Sequence, residues 1–314
     1  MKTKFLLTPL VLALVGIVWP DPAAAIPAFA RKYEQNCTAC HNVWPMLNAA
    51  GRQFKENGYK FPKDKEKAQV ISDFLYWDKY FPVSAILVAR PYDKRDSGDE
   101  KLRALHEVEL MFGGVIYNDV SGFLEIEAED ETDFDPTVEI AAFSYHANKA
   151  VNVQFAWSPV SFFDPYDTWS HIRRLTRGSY PTIDQTFGGA DANGRLRLSR
   201  QNVALYGRPM DALFYSVGIS GVAEDTEGVN PKNFMGRVAL DVMKNTSVGL
   251  FVLDGENEAT NRSFSRTGAD FQVDFLNNQA RAMGAYLKAK DDRATTGEDK
   301  NDAWYVQTLY AFRD

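Results

Sequence analysis

Val151-Asn152-Val153-Gln154-Phe155-Ala156-Trp157-Ser158 sends Val151, Val153, Phe155 and Trp157 to one face of an extended chain and Asn152, Gln154, Ala156 and Ser158 to the other. A period of two marks a strand, and the apolar face of this one ends in tryptophan. Working outward, Val108, Leu110 and Phe112 oppose Glu107, Glu109 and Met111, and Leu124, Ile126 and Ala128 oppose Glu125, Glu127 and Glu129. Ala269, Phe271, Val273 and Phe275 alternate with Asp270, Gln272 and Asp274, and Trp304, Val306, Thr308, Tyr310 and Phe312 with Tyr305 and Gln307. Helical periodicity nearly vanishes after Phe74.

A soluble antiparallel sheet with one wet face also alternates, so the connections discriminate. Short links at Tyr117-Asn118-Asp119-Val120, Ala147-Asn148-Lys149, Gly207-Arg208-Pro209-Met210, Lys244-Asn245-Thr246 and Leu276-Asn277-Asn278 take every second place along the chain. Longer, mostly acidic stretches at residues 92–101, 130–136, 158–193, 223–232, 254–263 and 290–302 lie between them. Short turns at one end and long loops at the other predict an outer-membrane antiparallel β-barrel with its turns in the periplasm. Counting segments gives about twelve strands, and an even number returns the C-terminus to the periplasm. The last strand is expected to close on the first, leaving no exposed edge. Phe312 supplies a terminal aromatic, followed by Arg313 and Asp314.

Lys2 and Lys4, the apolar run from Phe5 to Trp19 and Ala23-Ala24-Ala25 read as a secretory signal over residues 1–25. That run is short for a membrane-spanning helix. The net charge of −7 argues against nucleic acid, which needs a basic face. The remaining sequence divides into a segment over 26–74 and a barrel over 75–314.

Both cysteines of the chain lie in Cys37-Thr38-Ala39-Cys40-His41, the pattern that attaches c-type haem. Each thiol would close a thioether to a vinyl group while the His41 ring binds iron from the proximal side. A zinc site needs about four ligands, and no second Cys or His pair follows at suitable spacing. A redox dithiol needs no histidine and usually opens a helix in a βαβ unit. Pro45 is expected to open a helix through Met46, Leu47 and Phe54 that Asn57-Gly58 ends. So small a segment cannot enclose a haem with its own core. It is therefore expected to act as a plug at the periplasmic mouth of the barrel, covering the haem against the wall.

The run Phe29-Ala30-Arg31, the Cys37-x-x-Cys40-His41 motif, Pro45-x-Leu47, Gly51-Arg52-x-Phe54-Lys55 and Asn57-Gly58-Tyr59 resembles the fused cytochrome–porins of the outer membrane, known from iron-oxidising bacteria. The resemblance covers roughly the first thirty-five mature residues, and the rest matches only as a barrel. It implies one covalent haem c held by Cys37 and Cys40 with His41 as proximal ligand. It also implies an extracellular reductant such as Fe(II) and a periplasmic cytochrome as acceptor.

Three residues are candidates for the distal position. Met46 is close to His41 on the expected helix and suits packing better. His146 lies near a turn and could point into the lumen beside the plug, and Met111 faces the lumen nearer mid-membrane. His106 and His171 fall toward the outer side. The inward carboxylates of Glu107, Glu109, Glu125, Glu127 and Glu129 either form a charge ladder with Arg103, Arg195 and Arg197 or offer a hard-oxygen path to a cation. No nucleophile or acid–base constellation stands out.

The leading expectation is electron transfer between an extracellular donor and periplasmic carriers through the haem. A porin with a haem-containing structural plug or redox-responsive gate is the second reading. A soluble periplasmic c-type cytochrome or haem peroxidase is the third.

Overall fold

The computed structural model describes residues 28–42, 46–61, 69–72, 75–77, 82–93, 100–169, 191–228, 232–257 and 260–312. The signal segment, Pro45, His171, Arg313 and Asp314 lie outside the described residues.

Helix α1 (Ala28–Tyr33) and helix α2 (Ala49–Glu56) flank the cysteine motif. Strands β1 (Gln69–Ser72) and β2 (Leu75–Trp77) pair only with each other. Twelve further strands form one antiparallel sheet in chain order. They are β3 (Val83–Asp93), β4 (Lys101–Tyr117), β5 (Val120–Glu129), β6 (Thr137–Asn148), β7 (Val151–Ser158) and β8 (Arg200–Met210), then β9 (Leu213–Ser220), β10 (Asn233–Met243), β11 (Thr246–Asn257), β12 (Arg262–Phe275), β13 (Ala280–Asp292) and β14 (Glu298–Tyr310). The strand number and the mainly β class match the reading of the sequence. Among the described residues β3 and β14 each have one hydrogen-bonded neighbour, so the seam of the sheet lies between them.

The outward face of the sheet is apolar, and polar side chains take much of its inner face. In β7, Asn152, Gln154 and Ser158 are buried while Val151 and Phe155 are exposed. In β12, Asp270, Gln272 and Asp274 are buried and Phe275 is exposed. Ile219, Val238, Leu250, Trp304 and Val306 continue an outward apolar surface across neighbouring strands. An apolar face of this extent is unsuited to water, whereas hydrocarbon requires it. This removes the soluble β-domain alternative.

The sheet curls around what it contains. Residues 28–60 bond to β3 through Ser84, to β8 through Arg208 and to β13 through Arg281. Contacts from one short segment to strands so far apart in the sheet order require a concave wall. The segment sits at the short-turn end, where Lys60 reaches Asn118 and Asp119 in the β4–β5 turn.

Two expectations need correction. Gly207-Arg208-Pro209-Met210 is not a turn: β8 runs on to Met210 and the turn falls at residues 211–212. The ladder shifts register between Gly207 and Met210, which accommodates Pro209 while Arg208 stays in the wall. The connection after β7 is not wholly an outer loop either, because its start folds into the lumen. Val160, Phe163, Tyr166 and Trp169 are buried against β8 to β13, with Trp169 stacked on Phe251 at 5.2 Å.

Charge on the outward face tests this arrangement of polarity. Leu250→Arg, near the middle of β11, is expected to destabilise the barrel by about 2–4 kcal/mol in lipid, measured by denaturant titration in bilayers. Leu250→Phe should be nearly neutral there.

Candidate functional site

The Cys37–Ala39 stretch is a single 3₁₀ turn, closed by the Cys40 N–H donating to the Cys37 carbonyl at 3.2 Å and the His41 N–H to the same oxygen at 2.9 Å. Asn48 fastens this turn to α2. Its amide nitrogen donates to the Ala39 carbonyl at 3.0 Å and the Thr38 carbonyl at 3.3 Å, and its side-chain oxygen accepts from the Gly51 N–H at 3.0 Å. Asn48 is therefore the N-cap of α2. The helix starts at Ala49 rather than at Pro45, and Met46 precedes it instead of riding on it. Asn57 and Gly58, with φ of +73° at the glycine, end it as expected. Gly51 permits the close approach, since a Cβ there would stand 2.2 Å from the Cys40 carbonyl oxygen.

The segment is latched to the wall by charge. Glu56 at the end of α2 accepts from Nε and Nη2 of Arg208, at 2.8 and 2.7 Å. Arg208 also donates to Asp241 at 2.8 Å and to the Tyr166 hydroxyl at 2.9 Å. Arg52 of α2 lies over the Tyr166 ring at 4.9 Å. Arg281, held by Asp274 at 2.6 Å, donates to the Leu47 carbonyl at 2.9 Å. On the other side Arg31 donates to the Val83 carbonyl at 2.7 Å.

Between segment and wall lies a cavity of about 770 Å³, within the ~300–1,000 Å³ range of cofactor sites. Cys37, Cys40 and His41 all line it, together with Phe54 and Tyr59 of the segment and Phe123 of the wall. Of the distal candidates, Met111 lines the same cavity. Met46 is buried instead in the apolar core with Phe163 and Tyr166. His146 faces the segment, but its Nε2 is bonded to Ser121 Oγ at 2.7 Å and its ring packs against Gly58, outside the cavity lining. His106 stands toward the long-loop end, with Asp130 at 2.8 Å and Arg103 at 3.1 Å.

These residues fit a c-type haem. Both cysteines are free thiols that face one mainly apolar space beside an imidazole. Burial pushes the Cys40 thiol up, and Cys37 beside it adds to the shift. Asn42, next to His41, is buried with neither side-chain atom partnered.

Register brings the expected carboxylates together. Glu107 faces Glu129 across the β4–β5 ladder, Glu109 faces Glu127, and Glu125 faces Met111 at the cavity wall. Arg103, expected to balance the ladder, is paired with Asp130 at 3.3 Å and with Glu131.

The sequence reading passed over Asn48, Glu56, Arg208 and the inward loop. The aromatic run Phe162, Phe163, Tyr166 and Trp169 was the signal for the loop, because an extramembrane loop has little reason to carry four large rings.

No family model matches the chain, and no curated protein matches it. Among solved structures it is similar to an anion-selective porin from Comamonas acidovorans, at 15% identity and a TM-score of 0.45, covering 72% of this chain and 74% of that one. It is also similar to the outer membrane protein OmpT of Vibrio cholerae. A loop-deletion mutant aligns at 9% identity and TM-score 0.35 over 74% of this chain and 86% of that one. The in-vitro folded form aligns at 7% and 0.35 over 74% and 80%.

Removing Asn48 as Asn48→Ala should cost about 1–2 kcal/mol for the cap alone, and Gly51→Ala should push α2 off the cysteine turn. Both are read as faster protease nicking between residues 37 and 51. Arg208→Ala should cost about 3–5 kcal/mol, because it strands two carboxylates. Glu56→Ala should cost less, since Asp241 still holds Arg208. Unfolding midpoints in detergent give the order.

Proposed function

We propose that this chain is an outer-membrane barrel of porin-like architecture that holds one covalent c-type haem at its short-turn end. It passes electrons between an extracellular donor, Fe(II) as first choice, and a periplasmic cytochrome. One observation carries the reading: the two thiols and the imidazole of the attachment motif all line the cavity that segment and wall build together. Cys37 and Cys40 would hold the porphyrin and His41 would ligate the iron. When bound, the haem supplies a one-electron couple.

The chain's own residues set its conditions. Phe54, Tyr59, Phe123 and Phe162 line the cavity with aromatic rings. The carboxyl groups that face one another across β4 and β5 lie along the wall that leads from the long loops to Glu125 and would favour a cationic donor. With a hydrocarbon band of about 25 Å to pass, the donor has to enter the lumen from the long-loop side.

The latch favours a second reading, a porin whose haem-containing segment is a structural plug or a redox-responsive gate. Segment and inward loop both occupy the lumen, so a gate would have to break the Glu56–Arg208 pair to open.

The denatured mature protein is expected to keep its colour, and the Cys37→Ala, Cys40→Ala double variant to lose it. In liposomes, Fe(II) added outside should reduce the haem and pass electrons to an acceptor trapped within. No transfer, with conductance that follows the oxidation state of the haem, would replace the conduit with the gate. Colourless mature protein with two titratable thiols would end both.

A further inference from the structure

We infer that the barrel wall completes the iron site through the Met111 thioether of β4, an inference that rests on the proposed haem. Ser84, Met111, Glu125 and Ile140 stand in register across β3, β4, β5 and β6, and all four line the cavity. Met111 is 8% exposed, so its sulfur is sheltered from water. The same row anchors the segment, because Ser84 Oγ accepts the Ala28 N–H at 2.9 Å.

Packing fixes the segment against β4 beside this residue. Two positions along the strand, a Cβ on Gly113 would stand 3.0 Å from the Phe29 ring and press on it. Phe29 stacks on Tyr59 at 5.4 Å and meets Phe54 edge-on at 5.1 Å. Helices α1 and α2 therefore dock on β4 as one aromatic unit, next to Met111.

The donor set narrows the choice. Among the described residues that line the cavity, His41 supplies the imidazole and Met111 the thioether. Lys55 donates its ammonium to the Asp164 carbonyl at 3.2 Å, and His146 is held by Ser121. An imidazole and a thioether are an established ligand pair for haem iron and would raise its potential, which suits a weak reductant. Attachment then belongs to the segment and the sixth ligand to the barrel. The redox centre is complete only when the segment is seated.

The test uses the full-length mature protein with haem bound, as wild type, Met111→Ala, Met111→Leu, Met111→His and His146→Ala. Absorption and magnetic circular dichroism read the methionine–iron charge-transfer band of the ferric form, and a spectroelectrochemical titration reads the midpoint potential. The wild type and His146→Ala should show the band. Met111→Ala and Met111→Leu should lose it and shift the potential downward, with Leu guarding against a packing defect. Met111→His should stay low-spin at a lower potential. A band that persists in Met111→Leu, or that disappears in His146→Ala alone, overturns the assignment. A colourless wild type overturns the haem reading itself, and is distinguished from failure at Met111 because it is seen before any variant is compared.

Discussion

The Arg208 guanidinium is where the three parts of the molecule meet. It belongs to the wall, binds Glu56 of the N-terminal segment, bonds to Tyr166 of the inward loop and reaches Asp241 on the next strand pair. Inside a barrel, water is displaced by whatever fills the lumen, so each charge must find its partner there. The Arg208 and Glu56 side chains are 8% and 9% exposed. Two charges this sheltered contribute little net stability as a pair, yet separating them is costly. The pair therefore acts mainly as a specificity device, fixing where the segment sits.

The two inserts divide the lumen unequally. The β8–β13 half is filled: Arg237 binds Asp164 of the inward loop at 3.0 Å and Asp270 of the wall, Trp169 donates to Asp270 at 2.9 Å, and Gln272 donates to Thr168 at 2.7 Å. Aromatic and aliphatic side chains close the space between these bonds. The β3–β6 half keeps its cavity because the segment meets that wall through small or backbone groups, at Ser84, Val83 and Gly113. The cavity thus comes from unequal packing of the lumen.

The wall was legible in the sequence because strand alternation is local. Asp270, Gln272 and Asp274 take the inward face as their period dictates, and Glu107 meets Glu129 because the short turn at Asn118-Asp119 sets the register. The contents of the lumen were not legible to the same degree. Glu56 meets Arg208 across 152 positions and Leu47 meets Arg281 across 234. No periodicity encodes pairs at such separations. Asn48 was hidden for a nearer reason. Pro45 drew the helix start forward, whereas the side chain that caps the helix also carries the cysteine turn.

A barrel wall and a short motif-bearing segment solve complementary problems. The segment is too short to enclose a porphyrin with a core of its own, and among its described residues the rings of Phe29, Tyr33, Phe54, Tyr59 and Phe61 pack together. The wall turns an apolar face to lipid, and its inner face mixes polar groups with apolar side chains that pack against the inward loop. Where the two meet, the aromatic unit of the segment and the β3–β6 row together line the cavity. Under the proposed function, iron ligation that spans this junction makes the potential depend on seating of the segment. The Glu56–Arg208 pair, which helps to set that seating, would then bear on such a centre from outside the cavity.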